Sequence, residues 1–427
     1  MDITHIHSLF LESSGVSTDT RKIDPDSIFF ALKGDRFDAN TFASQALDKG
    51  AKAVIVDNPG YVIDSRTILV KDSLVALQQL ARRHREYLKL PILALTGSNG
   101  KTTSKELLHA VLSKKFKTGA TNGNLNNHIG VPLTLLSFDR STEFGIVEMG
   151  ANHQREIAAL CEIAQPDYGY ITNFGKAHLE GFGGVEGVIK GKSEMYDFLR
   201  TAGNEALVNL DDPIQDEKTC DIQRFTFGTT NQADVVIRSI TANPYVSVSF
   251  DGYTVNSHLI GLYNAANINA AIAAGKRFGV ADADIVAALE DFVPENNRSQ
   301  ILKKGDLEII LDAYNANPSS MKVAIENFVQ LGGDGKVAFL GDMFELGDES
   351  LAEHEKIVDM LADAQVMTYF VGKDFYASRI VKPNFVFFAT FEQLESHLKS
   401  NPVVAQRVLI KGSRGMALER VVDLLGC

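Results

Sequence analysis

The sequence predicts an α/β protein of three domains built around parallel sheets. Apolar strand runs alternate with helical runs over residues 92–292 and again over 308–410, which is typical of parallel sheets covered on both faces. The 427 residues fit two to four domains at roughly 100–200 residues per domain. We therefore predict domains over residues 1–88, 89–294 and 295–427.

Composition and charge exclude several classes of protein. Hydrophobic residues make up 45% and charged residues 22%, close to the globular average, which excludes a disordered or collagen-like chain. The net charge of −12 disfavours non-specific nucleic-acid binding, because an acidic surface repels a phosphate backbone. The N-terminus lacks a leader pattern, and no apolar run approaches the roughly 18 residues of a membrane helix. The three cysteines are not in a metal-binding spacing, and their odd number argues against a disulfide framework. From all these features we expect a cytoplasmic monomer that binds small molecules and does not insert into membranes.

The first predicted domain combines short strands with two helices. Strand-like runs lie around Ile28–Leu32 and Ala51–Asp57. Between them, Thr41–Lys49 predicts a helix that ends at Gly50. Ser73–Tyr87 predicts a second helix, because its leucines recur on one stripe.

The second and third predicted domains are sheets of apolar strands separated by helices. Residues 234–260 instead alternate between polar and apolar, which predicts an antiparallel appendage on the central sheet. The Ala-rich run Asn264–Phe278 predicts a long helix after it. The third domain is expected to be a doubly wound unit. The predicted strands are Ile92–Thr96, Phe144–Met149, Tyr168–Thr172, Ala206–Asn209, Glu308–Asp312, Val337–Leu340, Thr368–Val371, Phe385–Phe388 and Val408–Ile410.

The strongest local signal is a glycine-rich loop between a strand and the predicted helix Ser104–Leu112. Glycines let backbone N–H groups close around phosphate oxygens, and a helix N-terminus adds partial positive charge. Lys101 would reach the outer phosphates, and the Thr102 hydroxyl would bind Mg²⁺. Leu95 stands where a strict Walker A motif requires glycine. The predicted phosphate-binding residues are Gly97, Ser98, Asn99, Gly100, Lys101, Thr102 and Thr103.

Polar residues follow two other apolar strands. One strand stops at Glu148, and another stops at Asn173 with His178 shortly after it. Ligands of open parallel sheets lie beyond the carboxyl ends of the strands, so we expect these side chains near the phosphate loop. A carboxylate in that position suits a hard cation. The residues alone leave open a salt-bridged strand end for Glu148 and an ordinary hydrogen-bonded histidine for His178.

Together these motifs resemble the Mur ligases, the ATP-dependent amino-acid and peptide ligases of peptidoglycan precursor synthesis. The resemblance rests on the phosphate loop, Glu148–Asn152, Asn173–Glu180 and Gly261–Asn267, and it runs almost end to end in matching order. Within the family, the chain most resembles the member that adds a D-alanyl-D-alanine dipeptide. The motifs that point to this member are Asn124–Asn127, Ile129–Pro132, Tyr314–Pro318, Gly341–Met343, Glu345–Gly347 and Lys411–Ser413.

The resemblance implies an ATP-dependent ligation in cell-wall biogenesis, with its links to cell shape and division. The γ-phosphate of ATP would pass to the carboxylate of UDP-N-acetylmuramoyl-tripeptide, giving an acyl phosphate. The amine of D-Ala-D-Ala would attack that carbonyl, giving UDP-N-acetylmuramoyl-pentapeptide, ADP and phosphate. Two Mg²⁺ ions, Lys101 and the loop amides would neutralise the charge that gathers there. The first domain would bind the UDP-muramoyl-peptide and the second would bind ATP. The third would be a Rossmann-like ligase domain.

The resemblance also assigns roles to single residues. The implied metal ligands are Thr102, Glu148, His178 and Lys192, the last as a carbamate formed from CO₂, with Lys190 as the alternative register. The implied catalytic residues are Lys101, Lys192 and His178, and the further ATP contacts are Asn209, Asn264, Asn267, Arg298 and Asp312. The UDP substrate would contact Thr18, Asp19, Thr20, Arg21, Lys33, Gly34, Asp35, Asn124, Asn126 and Asn127. The amine substrate would contact Asn315, Asn317, Lys411 and Ser413.

The chain departs from the family pattern at two places. Ala39-Asn40 stands where Gly-His is usual, which affects the detail of the UDP pocket. Leu311 replaces a carboxylate, which leaves Asp312 alone to hold ribose or Mg²⁺. Three alternatives remain: the family member that adds the third residue (diaminopimelate or lysine), a folylpolyglutamate-synthase-like ligase, which would lack the N-terminal cradle, and a nucleotide-binding switch without ligation.

Overall fold

Three sheets form the framework of the protein. The computed structural model describes residues 2–34, 36–294 and 297–426. Within them the sheets contain four, nine and six strands, in that order along the chain, and a two-stranded hairpin accompanies the first sheet. This architecture confirms the predicted fold class, while the exact domain boundaries stay a prediction.

The N-terminal sheet is parallel, in the order β1-β2-β5-β6. Its region consists of α1 (Ile3–Leu11), β1 (Val16–Ser17), β2 (Ile28–Phe30), the hairpin strands β3 (Lys33–Gly34) and β4 (Phe37–Asp38), α2 (Ala43–Asp48), β5 (Ala53–Val56), β6 (Thr67–Leu69) and α3 (Ser73–Leu88). Helix α3 begins where the Asp72 carboxylate accepts a hydrogen bond from the N–H of Val75, and it ends at Lys89 in the left-handed conformation.

The central sheet is parallel from β8 to β13 and antiparallel from β13 to β15, which confirms the predicted appendage. The elements of this region are β7 (Ile92–Thr96), α4 (Lys101–Leu112), β8 (Thr118–Ala120), α5 (Gly130–Leu136), β9 (Phe144–Glu148), α6 (Glu156–Ala164), β10 (Tyr168–Ile171), α7 (Leu179–Phe182), α8 (Val185–Ala202), β11 (Glu205–Asn209), α9 (Pro213–Thr219), β12 (Gln223–Gly228), β13 (Val235–Ala242), β14 (Tyr245–Phe250), β15 (Tyr253–Ile260), α10 (Ala265–Arg277) and α11 (Asp282–Glu290). Strand β7 lies between β9 and β10, so the loop that follows it sits in the middle of the sheet edge.

The C-terminal sheet has the order β16-β17-β21-β18-β19-β20 and is parallel except for β16. Its region consists of β16 (Gln300–Lys304), β17 (Leu307–Asp312), α12 (Pro318–Gln330), β18 (Lys336–Gly341), α13 (Ser350–Leu361), β19 (Met367–Val371), α14 (Lys373–Ala377), β20 (Phe385–Phe388), α15 (Phe391–Ser400), β21 (Arg407–Lys411) and α16 (Val421–Leu424). The antiparallel edge strand β16 was not predicted, because its half-exposed residues lack the apolar run that marks the other strands.

Alternate strand residues face different cores, as the two-residue period of a strand requires. In β7, Ile92 and Ala94 belong to one core that contains residues of all three sheets. Leu93 and Leu95 belong to a second core beneath α4 and α10. The central sheet is therefore covered on both faces, as the sequence predicts. Among the described helices, none combines the length and the apolar character needed to cross a membrane.

Candidate active site

A cavity of about 1100 Å³ opens at the carboxyl ends of the central strands, between the central and C-terminal sheets. The phosphate loop, the end of β9 and the segment after β10 form one wall, and the ends of β17 and β21 with the start of α12 form the other. Many predicted site residues meet there. Those that line the cavity are Ser98, Asn99, Gly100, Lys101, Thr102, Thr103, Asn124, Asn126, Asn127, Glu148, His178, Asn264, Asn267, Arg298, Asp312, Asn315, Asn317 and Lys411.

Residues at the end of β10 contact the phosphate loop and hydrogen-bond to it. Gly97 has a φ of +141°, and a Cβ there would collide with the Thr172 side chain, so glycine is required. The Thr172 hydroxyl donates a hydrogen bond to the Asn99 carbonyl at 2.5 Å, and the Asn173 carbonyl accepts the Ser98 N–H at 3.1 Å. No described side chain caps α4, so the N–H groups of its first turn remain for an anion. This helix starts at Lys101 rather than at the predicted Ser104.

Lys101 is half-buried and folded back over the loop that precedes it. Its Nζ donates to the Gly97 carbonyl at 2.6 Å and to the Ser98 carbonyl at 3.3 Å. An ammonium group has three donors, so one remains for a phosphate oxygen in the cavity. Burial lowers the pKa of Lys101, and the Glu148 carboxylate opposes that shift.

Glu148 is a buried carboxylate with one oxygen unpaired. It is 1% exposed, and its Oε1 accepts hydrogen bonds from the Thr102 hydroxyl at 3.3 Å and from Asn126 Nδ2 at 2.8 Å. Its Oε2 has no hydrogen-bond partner among the described residues. Leaving a buried carboxylate oxygen unpaired is costly, whereas a hard cation satisfies it. The set of oxygens from Thr102 and Glu148 therefore fits Mg²⁺.

Lys192 is a buried amine on helix α8. It is 1% exposed, its Nζ donates to the Ala151 carbonyl at 3.2 Å, and it lies 5.0 Å from the centre of the Phe182 ring. Burial, together with the charge of Lys101, lowers the pKa of Lys192 well below its usual value. Lys190, the alternative register, is exposed. Burial therefore favours the neutral amine of Lys192, which is the form that reacts with CO₂.

His178 lines the cavity opposite the C-terminal sheet. Its Nδ1 forms a hydrogen bond with Glu345 Oε2 from the C-terminal region, and that bond lowers the pKa of Glu345. No group of three His, Cys, Asp or Glu side chains that could hold a metal occurs within residues 2–34, 36–294 and 297–426. Of the four predicted ligands, only Glu148 and His178 are residues of those types. The other two are Thr102 and Lys192.

Three of the predicted nucleotide contacts make hydrogen bonds within the protein. Asn267 Nδ2 donates to Asn264 Oδ1 at 2.8 Å, and Asn267 Oδ1 accepts from the Ser104 hydroxyl at 3.0 Å. This buried chain of amides fixes the start of α4 and leaves little of either side chain to read an adenine edge. Asn209 does not line the cavity, and its Oδ1 accepts the N–H of Asp211 at 3.1 Å.

On the opposite wall, Asp312 and Lys411 form an ion pair. Lys411 Nζ lies 2.5 Å from Asp312 Oδ2, and the two residues are direct neighbours on β17 and β21. The Arg298 guanidinium stacks over the Tyr314 ring at 3.6 Å. Lys411 was expected to contact the amine substrate and Asp312 the nucleotide, but each is the other's partner here. Ser413 does not line the cavity, because its hydroxyl accepts the Phe344 N–H at 2.9 Å.

Of the predicted UDP contacts in the N-terminal region, those that the structure describes lie outside this cavity, on a partly exposed turn and an exposed hairpin. Asp19 accepts hydrogen bonds from the backbone and side chain of Arg21, which lower the pKa of Asp19 to about 2. Lys33 pairs with Asp57 at 2.7 Å. Thr18 and Thr20 flank Asp19, and Gly34 belongs to the β3–β4 hairpin. Asp35 lies outside the described residues.

Several contacts between the two walls were not predicted. Asn317 Nδ2 donates to Asn99 Oδ1 at 2.7 Å, which joins the start of α12 directly to the phosphate loop. Lys176 Nζ donates to Glu353 Oε1 at 2.8 Å. Lys176 belongs to the recognised Asn173–Glu180 motif, but its partner is 177 residues away in the sequence. No local pattern could have paired them.

Comparison with known proteins identifies the family. Sequence models of the Mur ligases match three stretches: the family's catalytic domain over residues 12–85, the middle domain over 95–275 and the glutamate ligase domain over 297–414. A relative from Bacillus subtilis (strain 168), UDP-N-acetylmuramoyl-tripeptide–D-alanyl-D-alanine ligase, is 36% identical over 96% of this chain and 93% of the relative. The chain belongs to the Mur ligase family.

Two solved Mur ligase structures are similar to this chain over nearly its whole length. A crystal structure of MurF from Acinetobacter baumannii has a TM-score of 0.86 and 34% identity, covering 96% of this chain and 92% of that one. The structure of MurF ligase from Thermotoga maritima in complex with ADP has a TM-score of 0.85 and 28% identity, covering 97% of both chains. All three Mur ligase sheets are therefore present here, including the N-terminal one.

Proposed function

We propose that this Mur ligase joins D-alanyl-D-alanine to UDP-N-acetylmuramoyl-tripeptide and converts ATP to ADP and phosphate. The observation that carries the assignment is the similarity over more than nine-tenths of the chain to a curated ligase of that name and to MurF structures. The N-terminal region, which a folylpolyglutamate-synthase-like ligase would lack, is matched as well. Neither the ligase that adds the third residue nor a non-ligating switch is favoured by these similarities.

The phosphate loop of this chain is suited to hold the triphosphate of ATP. No described side chain caps the N–H groups at the start of α4. Two of the three Lys101 donors bond to loop carbonyls, which leaves the third for an outer phosphate. Positive groups fixed before the reaction stabilise charge that develops on the transferring phosphoryl group. The tripeptide carboxylate would approach from the side of Asn124, Asn126 and Asn127, which line the same cavity.

We also assign the magnesium site to Thr102, Glu148, His178 and a carbamate of Lys192. Support comes from the unpaired Oε2 of Glu148 and from the buried amine of Lys192, whose pKa is lowered by burial. Addition of the Lys192 Nζ lone pair to CO₂, with loss of one proton, gives a carboxylate-like anion at the end of a long arm. Two bound Mg²⁺ ions would neutralise charge on the phosphoryl oxygens.

Substrate omission tests the proposed reaction. Phosphate release is measured with ATP, UDP-N-acetylmuramoyl-tripeptide and D-Ala-D-Ala, and then with each one omitted, while mass spectrometry identifies the UDP product. We expect product only with all three. Free D-Ala should be far poorer, because its carboxylate lies about 3.5 Å short of the dipeptide's, and misplacement on that scale can cost on the order of 10²-fold in rate. Efficient addition of diaminopimelate or lysine to the UDP-dipeptide, without dipeptide addition, would overturn the assignment.

A further inference from the structure

A hydrogen bond between His178 and Glu345 joins the central region to the C-terminal region at the edge of the cavity. His178 lines the cavity, whereas Glu345 does not and lies behind the imidazole ring. The bond uses Nδ1, so Nε2 is the nitrogen left to face a ligand. Histidines that bind metals usually donate their other N–H to a carboxylate or a carbonyl, which fixes the tautomer and the direction of the ring.

The backbone on both sides of this bond is held in an uncommon conformation. His178 has a φ of +53° and Glu345 a φ of +62°, values that few residues other than glycine adopt. The Glu180 N–H donates to the Glu345 carbonyl at 3.4 Å, so the two segments also meet through their main chains. Such conformations persist only where the surroundings enforce them, and they cluster at functional sites.

The loop that carries Glu345 is fixed within the C-terminal region. The Met343 N–H donates to His354 Nε2 at 3.0 Å, and the Phe344 N–H donates to the Ser413 hydroxyl at 2.9 Å. Both acceptors are nearly fully buried, at 0% and 2% exposure. The Glu345 carboxylate is therefore presented by a rigid loop, and its position relative to His178 is set by how the C-terminal region docks.

We propose that Glu345 is a positioning residue that turns Nε2 of His178 toward the cavity, so that docking of the C-terminal region completes the magnesium site. This rests on the proposed role of His178 as a metal ligand. Glu345 does not touch the substrate or the ion. It acts by holding the Nδ1–H of His178, and it makes the ligand geometry depend on the closed arrangement of the two walls.

Mn²⁺ binding to the full chain tests this proposal. Free Mn²⁺ is followed by electron paramagnetic resonance during titration in bicarbonate buffer with ADP, for wild type, His178→Ala, Glu345→Ala and Glu345→Gln. Loss of a carboxylate behind a metal-bound histidine typically weakens the affinity by about 10–100-fold, which we expect for Glu345→Ala. Glu345→Gln should fall between wild type and Glu345→Ala, because its amide oxygen still accepts the Nδ1–H.

Glu353→Gln is the matched control for docking. It weakens the Lys176–Glu353 contact between the same two regions, at a position that does not line the cavity. The Asn317–Asn99 and His178–Glu345 contacts between the two regions remain in this variant, so the regions should stay docked and the Mn²⁺ affinity should stay near that of wild type. A higher Mg²⁺ concentration should restore the turnover of Glu345→Ala. If Glu353→Gln turns over more slowly than wild type, added Mg²⁺ should not restore its rate. Thermal melting of each variant confirms that it is folded.

The outcomes separate the proposal from its premise. Wild-type affinity in Glu345→Ala together with weakened affinity in His178→Ala would overturn the role of Glu345 and leave His178 as a ligand. Wild-type affinity in His178→Ala would remove the metal role of His178, and the positioning role with it. Equal losses in Glu345→Ala and Glu353→Gln would show that docking alone matters, which contradicts a specific contact.

Discussion

The predicted binding residues of the central region differ from those of the N-terminal region in burial and in pairing. At the central sheet edge, Glu148 and Lys192 are each 1% exposed. Glu148 Oε2 has no hydrogen-bond partner among the described residues, and Lys192 Nζ donates to a backbone carbonyl. In the N-terminal region, the Arg21 side chain is 86% exposed and paired with Asp19, and Lys33 is paired with Asp57. The central groups are held at a cost in desolvation, whereas the N-terminal pairs are ordinary surface contacts.

This difference separates two kinds of evidence for function. A buried carboxylate oxygen without a partner is unfavourable unless something binds it, so Glu148 by itself indicates a ligand at the central site. The N-terminal turns give no such argument, and their role depends on similarity to other Mur ligases. Substitutions in the two regions should therefore differ in size and in the kinetic constant they change.

The largest effect is expected at Lys192. Without its amine there is no carbamate to hold Mg²⁺, so Lys192→Ala should be nearly inactive in phosphate release. Small carboxylic acids added to the assay should restore part of the rate. Lys190→Ala is the matched control, since Lys190 lies two residues away on the same helix but is exposed. An inactive Lys190→Ala beside an active Lys192→Ala would show that the register is wrong.

Lys101→Ala should lose at least ~10²-fold in turnover, because fixed positive charge at a developing phosphoryl charge is worth several kcal/mol. The Lys101 ammonium makes its side-chain hydrogen bonds within the loop, to the Gly97 and Ser98 carbonyls, so the fold should survive. Circular dichroism shows whether the variant is folded, and single-turnover kinetics measure its rate of phosphate transfer. Near-normal turnover in a folded variant would remove the loop from the mechanism.

Asn126→Ala tests the support of the Glu148 carboxylate. The Asn126 amide donates to Glu148 Oε1 at 2.8 Å, and loss of such an outer contact typically costs about 10–100-fold in metal affinity or activity. We expect the Mg²⁺ concentration for half-maximal rate to rise. Asn127→Ala should instead lower stability by about 1 kcal/mol, since its side chain accepts N–H groups at the start of α5. The same Mg²⁺ dependence in both variants would argue against a specific role for Asn126.

Arg21→Ala should give the smallest effect on the protein itself. The ion pair with Asp19 is exposed to solvent, so its loss should hardly change the melting temperature. If this turn binds the UDP substrate, the KM for that substrate should rise while kcat stays the same. Arg66→Ala, which breaks a similar exposed pair with Asp64, is the control. An unchanged KM in Arg21→Ala would remove Arg21 from the cradle.

Local sequence signals were enough for most of the fold. Strands β7, β9, β10 and β11 of the central sheet are apolar runs long enough to be recognised, and the loop after β7 has its own motif. Several strands escaped prediction, among them β1 and β8, which are too short, and β12 and β16, which are too polar to show an apolar run. Which strands become neighbours was not predictable from any single run.

Pairing across the sheets determines which partners the predicted site residues have. Asp312 and Lys411 are 99 residues apart and meet only because β17 and β21 are adjacent. The His178–Glu345 bond spans 167 residues between two motifs that were each recognised without their contact. The residues alone suggested a hard cation at Glu148, and the resemblance to the Mur ligases implied the other ligands, but the partner of each group depends on strand order and on the docking of the two walls.

Carbon-13 NMR tests the proposed carbamate on Lys192 most directly. The full chain is equilibrated with ¹³C-bicarbonate and Mg²⁺, and the spectrum is compared with those of Lys192→Ala and Lys190→Ala. We predict one carbamate resonance that is present in wild type and Lys190→Ala and absent from Lys192→Ala. The same spectrum for wild type and Lys192→Ala, or a resonance lost only in Lys190→Ala, would contradict it.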